Sequence, residues 1–187
     1  MTVLPKFSTE RLHIQHLGAC DAEVVLSYYL RNREFLTPFY PRFTPEFFTM
    51  HHWDAQIKRS IQEFQQESAV RFVFFAKDTL EALGTANLTQ IFRGPFQASF
   101  LGFAVSAKHE GRGLMHEGLH AVIRYAFEEL NLHRIMATHL TENTRSARLL
   151  ERLGFEAEGV AKKYLFINGE WRDHVLRSLT NELWTIQ

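Results

Sequence analysis

The chain has 187 residues, 45% of them hydrophobic and 22% charged, with 21 basic side chains balancing 21 acidic ones. That length and apolar share suffice for one sizeable core, and no Pro-, Ser- or Gly-rich linker divides the chain, so a single domain over 1–187 is expected. Zero net charge excludes a general nucleic-acid binder working through a basic surface, and a lone cysteine, Cys20, excludes an internal disulfide.

In chain order, Arg11 to Leu17 alternates Leu12, Ile14 and His16 against His13 and Gln15, the pattern of a half-buried strand. Asp21 is placed to cap a helix running to about Arg31. Arg33 to Arg42 holds two prolines and three aromatics and is expected as loop. Thr44-Pro45 reads as an N-cap followed by proline at the first helical position, opening a helix towards Phe64. Val70–Ala76 is continuously apolar, a strand buried on both faces. Strands Leu83–Phe92 and Ser99–Val105 follow, each after a turn. From Leu114 to Leu130 apolar residues recur at three and four, one broad helical stripe. Arg134–Leu140 is strand-like. Asn143–Leu153 is a short helix with Gly154 at C′ and Phe155 placed to pack back on Leu150 in a Schellman motif. Two last strands, Ala157–Ile167 and Trp171–Leu179, are joined by the hairpin turn Asn168-Gly169. The order is β-α-α-β-β-β-α-β-α-β-β.

The strongest chemical signal is the junction Phe103-Ala104-Val105 … Lys108-His109-Glu110-Gly111-Arg112-Gly113-Leu114-Met115. A strand ends, two glycines follow one residue apart, and a long helix begins. Glycines let the backbone close around a ligand, and the free N–H groups of a new helix attract an anion. Arg112 adds a positive charge, so the junction reads as a diphosphate seat. It is not a P-loop, which needs Gly-Lys-Ser/Thr. A dinucleotide loop would need a small residue where His116 stands, and would come early in the chain.

The junction resembles the coenzyme A loop of the Gcn5-related N-acetyltransferases (GNAT), Gln/Arg-x-x-Gly-x-Gly/Ala, with Lys108 in the first place and Gly111 and Gly113 in the glycine places. Further likenesses follow in order: Thr9-Glu10-Arg11-Leu12, Phe35-Leu36-Thr37-Pro38-Phe39, Asn143-x-x-Ser146 with Leu149-x-x-x-Leu153-Gly154-Phe155, and Gly169-Glu170-Trp171-Arg172-Asp173-His174. Together they resemble the ribosomal-protein-alanine N-acetyltransferase branch, the RimJ type. The resemblance implies an α+β fold: a mixed, mostly antiparallel central sheet flanked by helices. It implies acetyl-CoA as co-substrate without a metal, and a protein N-terminal α-amine as acceptor, that of an alanine on a small-subunit ribosomal protein. Acetylation of lysine or of a small-molecule amine is the alternative on the same fold. The resemblance also sets Phe103, Ala104 and Val105 against the cofactor, with Lys108, Gly111, Arg112, Gly113, Leu114 and Met115 around its pyrophosphate.

Acetyl transfer needs a neutral amine, support for the carbonyl oxygen and a leaving thiolate. A fixed backbone N–H at the strand end, that of Val105, suits the oxygen. Many family members carry a tyrosine where this chain has Leu150, so Ser146 is the nearest hydroxyl for the thiolate and Asn143 is expected to orient the thiol, besides suiting an N-cap. His139 is the side chain expected as base, with a water relay as alternative. Asp173 and His174 are expected to form a hydrogen-bonded pair in the closing hairpin. The acceptor is expected among Phe35–Phe43, the strand around Asn87 and the Asn168–Trp171 hairpin. His116-Glu117-Gly118-Leu119-His120 is a literal H-E-x-x-H, so a zinc metallopeptidase is the competing enzyme. Against it, Gly118 weakens the helix and no third ligand is fixed by spacing. An idle acyl-CoA-binding module is the third class. No signal-peptide pattern opens the chain and no apolar run approaches ~18 residues, so a cytoplasmic protein is expected, without membrane contact or sequence-specific nucleic-acid binding.

Overall fold

The computed structural model describes residues 3–79 and 81–186. In chain order the elements are β1 (Lys6–Ser8), β2 (Leu12–His16), α1 (Ala22–Arg31), α2 (Arg33–Leu36), α3 (Met50–Gln65), β3 (Ala69–Ala76), β4 (Ala82–Phe92), β5 (Ala98–Val105), α4 (Leu114–Glu128), β6 (Arg134–Leu140), α5 (Thr144–Arg152), β7 (Glu156–Ile167) and β8 (Glu170–Thr180). The strands form one sheet in the order β1-β2-β3-β4-β5-β6-β8-β7. Every neighbouring pair is antiparallel except β5 and β6, which run parallel. The fold is therefore α+β with a mostly antiparallel sheet.

Strand alternation divides the core in two. On β3, Phe72 and Phe74 face the core under α4 and α5, which includes Leu119, Val122 and Leu150. Val73 and Phe75 face the opposite core, with Val25 and Tyr28 of α1 and Trp53 of α3. The α4 stripe lies close on the sheet because Gly118 has no side chain: a Cβ there would meet Phe74 Cε2 at 2.4 Å. That close approach is the reason for a glycine in the middle of a helix.

Several local expectations need correction. Arg33–Leu36 is a short helix and Thr37–Phe39 a 3-10 turn, where loop was expected. Thr44-Pro45 opens only a 3-10 turn, Pro45–Phe48, and α3 begins after Thr49, whose hydroxyl accepts from His52 N–H at 3.2 Å. Asp21 stands at the start of α1 but its side chain makes no capping bond. Strand β1 adds an edge to the expected order. The end of α5 is the expected Schellman motif: Phe155 N–H donates to Leu150 O at 2.9 Å and Gly154 N–H to Glu151 O at 3.0 Å.

Candidate active site

β5 and β6 pair over three residues only, Ala98 with Arg134, Ser99 with Ile135 and Phe100 with Met136. Beyond Phe100 they diverge, β5 staying with β4 as far as Val105 opposite Gly84, and β6 with β8. Ser106 N–H donates to Leu83 O at 2.8 Å. Backbone groups of an antiparallel ladder alternate in direction. Ala104 therefore also faces β4, while the N–H groups of Phe103 and Val105 face the gap. Interior backbone groups must find partners, and here they are offered to whatever enters between the strands.

A cleft of about 520 Å³ occupies the gap. It brings together Phe103, Ala104 and Val105 of β5, Gly111 and Gly113 of the loop, Leu114 and Met115 of α4, and Asn143 and Ser146 at the start of α5. Gly111 and Gly113 both have φ in the left-handed region, +71° and +75°. Gly113 is the residue that starts α4, with no side-chain cap. The first intrahelical bond there is Glu117 N–H to Gly113 O, 3.1 Å, so the N–H groups of Leu114, Met115 and His116 are left for a ligand. The strand end is pinned from α1: Asn32, buried, donates to Tyr28 O at 2.7 Å and accepts Ala107 N–H at 3.0 Å. Ser106 Oγ lies 2.6 Å from His109 Nδ1, and burial lowers the pKa of this imidazole, with nearby Lys108 and Arg112 acting in the same sense.

Three expected site residues stand elsewhere. Lys108 is exposed and pairs with Glu81 at 3.2 Å. The Arg112 side chain is exposed outside the cleft, and its carbonyl accepts from Arg11 Nη1 at 3.0 Å. His139 is buried on β6 beside β8: Nδ1 meets Leu140 O at 2.9 Å, and Nε2 accepts from Arg177 Nε at 3.1 Å. Burial lowers its pKa and the Arg177 charge adds to this. A ring with both nitrogens engaged has no lone pair for an acceptor's proton, which corrects the expectation of a base there. Asp173 pairs with Lys162 and with Lys163 N–H, and His174 Nδ1 with Arg172 O, so those two do not bond each other.

Asn143 is a true N-cap, its Oδ1 accepting from Ser146 N–H at 3.1 Å, and it lines the cleft as well. Leu150 is fully buried, so its position offers no hydroxyl to the cleft. The sequence reading missed Arg145, Arg148 and Arg152, which line the cleft from α5. Their spacing of three and four was the available signal. Arg145 also pairs with Glu110 of the glycine loop at 2.9 Å, across the cleft.

Glu117, the would-be base of the zincin pattern, is already occupied. Its Oε1 accepts from Thr9 Oγ1 at 2.5 Å and Arg11 N–H at 2.8 Å, and its Oε2 from Arg11 Nε at 2.6 Å. Burial opposes ionisation, but these bonds and the Arg11 charge outweigh it and hold the carboxyl below its usual range. The motif is thus a clamp: the Thr9–Arg11 segment grips the first turn of α4 and the loop carbonyl of Arg112. Among the described residues no three His, Cys, Asp or Glu side chains gather as a metal site.

A splayed parallel strand pair with an anion seat at the next helix start defines a transferase that uses an acyl thioester of coenzyme A. The profile of the acetyltransferase (GNAT) domain matches residues 11–156, and the chain belongs to that family of N-acetyltransferases, enzymes that use acetyl-CoA. The [ribosomal protein uS5]-alanine N-acetyltransferase of Escherichia coli K12 is 42% identical over 96% of this chain and 93% of its own. Among solved structures, the ribosomal-protein-S5-alanine acetyltransferase of Vibrio fischeri superposes with a TM-score of 0.93 at 35% identity, covering 97% of this chain and all of that one. Mycobacterium smegmatis RimJ in complex with CoA-disulfide shares the fold, with a TM-score of 0.84 at 24% identity over 96% of this chain and 87% of that one.

Proposed function

We propose that this enzyme acetylates the α-amine of a protein N-terminus, an alanine of the small-subunit ribosomal protein uS5, as its E. coli relative is named for doing. That acceptor would place the activity in the cytoplasm; among the described residues no helix is long and apolar enough to cross a membrane. The observation that carries the chemistry is the divergence of β5 from β6, which turns the Val105 N–H into the gap beside the uncapped start of α4. The pyrophosphate of acetyl-CoA sits on Gly111, Gly113 and the first N–H groups of α4. Arg148 and Arg152, with Arg145 partly offset by Glu110, supply the positive charge expected earlier of Arg112. Phe103, Ala104 and Val105 flank the pantetheine arm. The Val105 N–H donates to the thioester oxygen as charge develops there, and Asn143 and Ser146 face the departing thiolate.

Among the described residues the carboxylate lining the cleft is Glu110, which Arg145 holds. The lining imidazoles are His116 and His109, the latter with Nδ1 engaged by Ser106 and its pKa lowered by burial. An α-amine has a reference pKa near ~8 against ~10.4 for lysine, so an N-terminus is partly neutral already and can release its second proton to water. The same argument disfavours lysine acceptors. Acetylation of a peptide with free N-terminal alanine, at a rate well above that on an N-terminally blocked lysine peptide, is the expected result, read by release of coenzyme A thiol. Comparable rates would overturn the acceptor assignment. Mass spectrometry of ribosomal-protein N-termini from cells with and without the enzyme then identifies the acceptor.

A further inference from the structure

A second cavity, of about 290 Å³, lies on the face of the sheet away from α4, between α1, α3 and strands β3 and β4. It meets the first cleft at Tyr40, which lines both. The strands bring them together too: Thr85 and Asn87, in the second cavity, stand opposite Ala104 and Gly102 of β5, and Ala104 lines the first. The closing hairpin reaches the same point, Asn168 N–H donating to Tyr40 O at 3.0 Å.

Its walls are aromatic and its polar groups are under-used. Tyr29 and Trp53 stack at 4.7 Å, with Phe47 edge-on to each. Trp53 Nε1 is buried without a partner. Thr85 Oγ1 stands close to the hydroxyls of Tyr29 and Tyr40, yet no bond of full hydrogen-bond geometry reaches it. Arg71 of β3 donates Nε to Glu63 at 2.8 Å, and no other hydrogen bond among the described residues uses its guanidinium. Glu63 is shared with Arg59 at 2.9 Å, so one carboxylate answers two guanidiniums and a positive charge is left over. Buried donors without partners are costly unless a ligand supplies acceptors, and a free guanidinium edge fits a planar carboxylate in two parallel bonds.

We propose that this cavity receives the residues following the acceptor's amine, and that Arg71 reads an aspartate or glutamate side chain among them. The proposal rests on the N-terminal acceptor reading above. Arg71 stands opposite Asn87, which stands opposite Gly102 of β5. Its strand therefore lies two strand spacings, about 10 Å, from the acetyl site, and at about 3.3 Å per extended residue that span sets the acidic residue at roughly the second to fourth position. Trp53 Nε1 and Asn87 then serve the peptide's backbone carbonyls.

The test is steady-state acetylation of peptides with free N-terminal alanine that carry glutamate or glutamine at position two, three or four. At one of these positions the glutamate peptide should be favoured about tenfold in kcat/KM, through the acceptor KM. Arg71→Met should erase that preference while acetyl-CoA affinity by calorimetry stays unchanged. Because Arg71 also holds Glu63, Asn87→Ala provides an independent variant, raising the acceptor KM and leaving the cofactor affinity as it was. Equal turnover of all glutamate and glutamine peptides, or a preference that survives Arg71→Met, would overturn the pocket and leave the N-terminal acceptor reading standing. Failure to acetylate any N-terminal peptide would remove both.

Discussion

The proposed cofactor side of the cleft is supplied largely by one stretch of chain, Phe103 to Met115, whereas the proposed acceptor side draws on Tyr40, Arg71, Asn87 and Asn168 from separate elements. The first offers mainly backbone: the Val105 N–H, two glycines and a helix start. The second offers side chains, an aromatic wall and a guanidinium. A ligand read by backbone tolerates most side-chain changes in its site but not a change of backbone conformation or approach. A ligand read by side chains behaves the opposite way. The difference suits the reaction, since one co-substrate is common to the family and the other distinguishes its members.

The sharpest way to break this comparison is Gly113→Val. A Cβ at Gly113 would meet nothing closer than Arg11 Nη2 at 3.5 Å, so the variant has room to fold. Its cost is a β-branched residue at φ +75°, about 1–3 kcal/mol of strain, together with methyl groups where the diphosphate must approach. Loss of acetyl-CoA affinity by about 100-fold or more is expected in calorimetry, with a folded circular dichroism spectrum. Near-normal affinity in a folded variant would show that backbone approach does not govern this half.

A buried histidine at the end of β2 should make the fold sensitive to acid. His16 is fully buried beside Phe64 of α3, and its Nδ1 accepts from Gly18 N–H at 2.9 Å, so the ring is neutral. Burial lowers its pKa to about 4, the Arg71 charge adds to this, and Glu63 opposes it. The unfolded chain takes up a proton near pH 6.5 that the folded chain refuses until about pH 4. Stability is therefore full above pH 6.5 and falls as pH drops through that window, by at most about 3–4 kcal/mol at 1.36 per pH unit. His16→Asn keeps an acceptor for Gly18 and should flatten that part of the curve in denaturant titrations at pH 7 and pH 4.5. An unchanged slope would place the acid-sensitive group elsewhere.

The proposed cofactor half is braced from outside the cleft by the Glu117 clamp, which ties Thr9 and Arg11 to the start of α4. Glu117→Gln keeps the shape but removes the charge, and should lower stability by about 1–2 kcal/mol, the half-exposed Arg11 leaving part of the interaction to solvent screening. The loss should vanish in acid: the folded pKa is depressed, so the clamp's contribution is present above the unfolded carboxylate value and fades as pH falls through the folded one. The KM for acetyl-CoA should rise severalfold, because the clamp also holds the Arg112 carbonyl. A variant weakened equally at pH 7 and pH 3 would refute the electrostatic account.

What could be read from the sequence follows the same division. The Schellman end at Leu150–Phe155, the Asn168-Gly169 turn and the glycine loop each depend on residues within a few positions of one another, and each stands where the sequence put it. β1 was not legible because a three-residue strand exists only through its pairing with β2. The start of α3 was misplaced because Thr44-Pro45 and Thr49 carry equivalent local signals, and only packing selects the second. His139 is disabled by Arg177 and Glu117 is claimed by Thr9, partners 38 and 108 residues away. No local pattern encodes such meetings.

The smallest expected effect separates two neighbours at the cofactor's thiol end. Asn143 caps α5, and Asn143→Ala should cost about 1 kcal/mol of stability through the lost cap. Ser146, two residues into the same helix, uses its N–H for that cap, and no hydrogen bond among the described residues engages its hydroxyl. Ser146→Ala should therefore leave stability alone. Its hydroxyl faces the departing sulfur in the proposed mechanism, and a thiol near the cysteine reference of ~8.5 leaves with little proton help. One neutral hydrogen bond formed mainly as charge grows on sulfur is worth about 1 kcal/mol, or roughly a fivefold fall in kcat. The KM for acetyl-CoA should stay within about twofold, because a contact made in the transition state and not in the ground state changes turnover without changing binding. A rise in KM at constant kcat would make Ser146 an ordinary cofactor contact, and the thiolate would then leave on backbone and solvent alone.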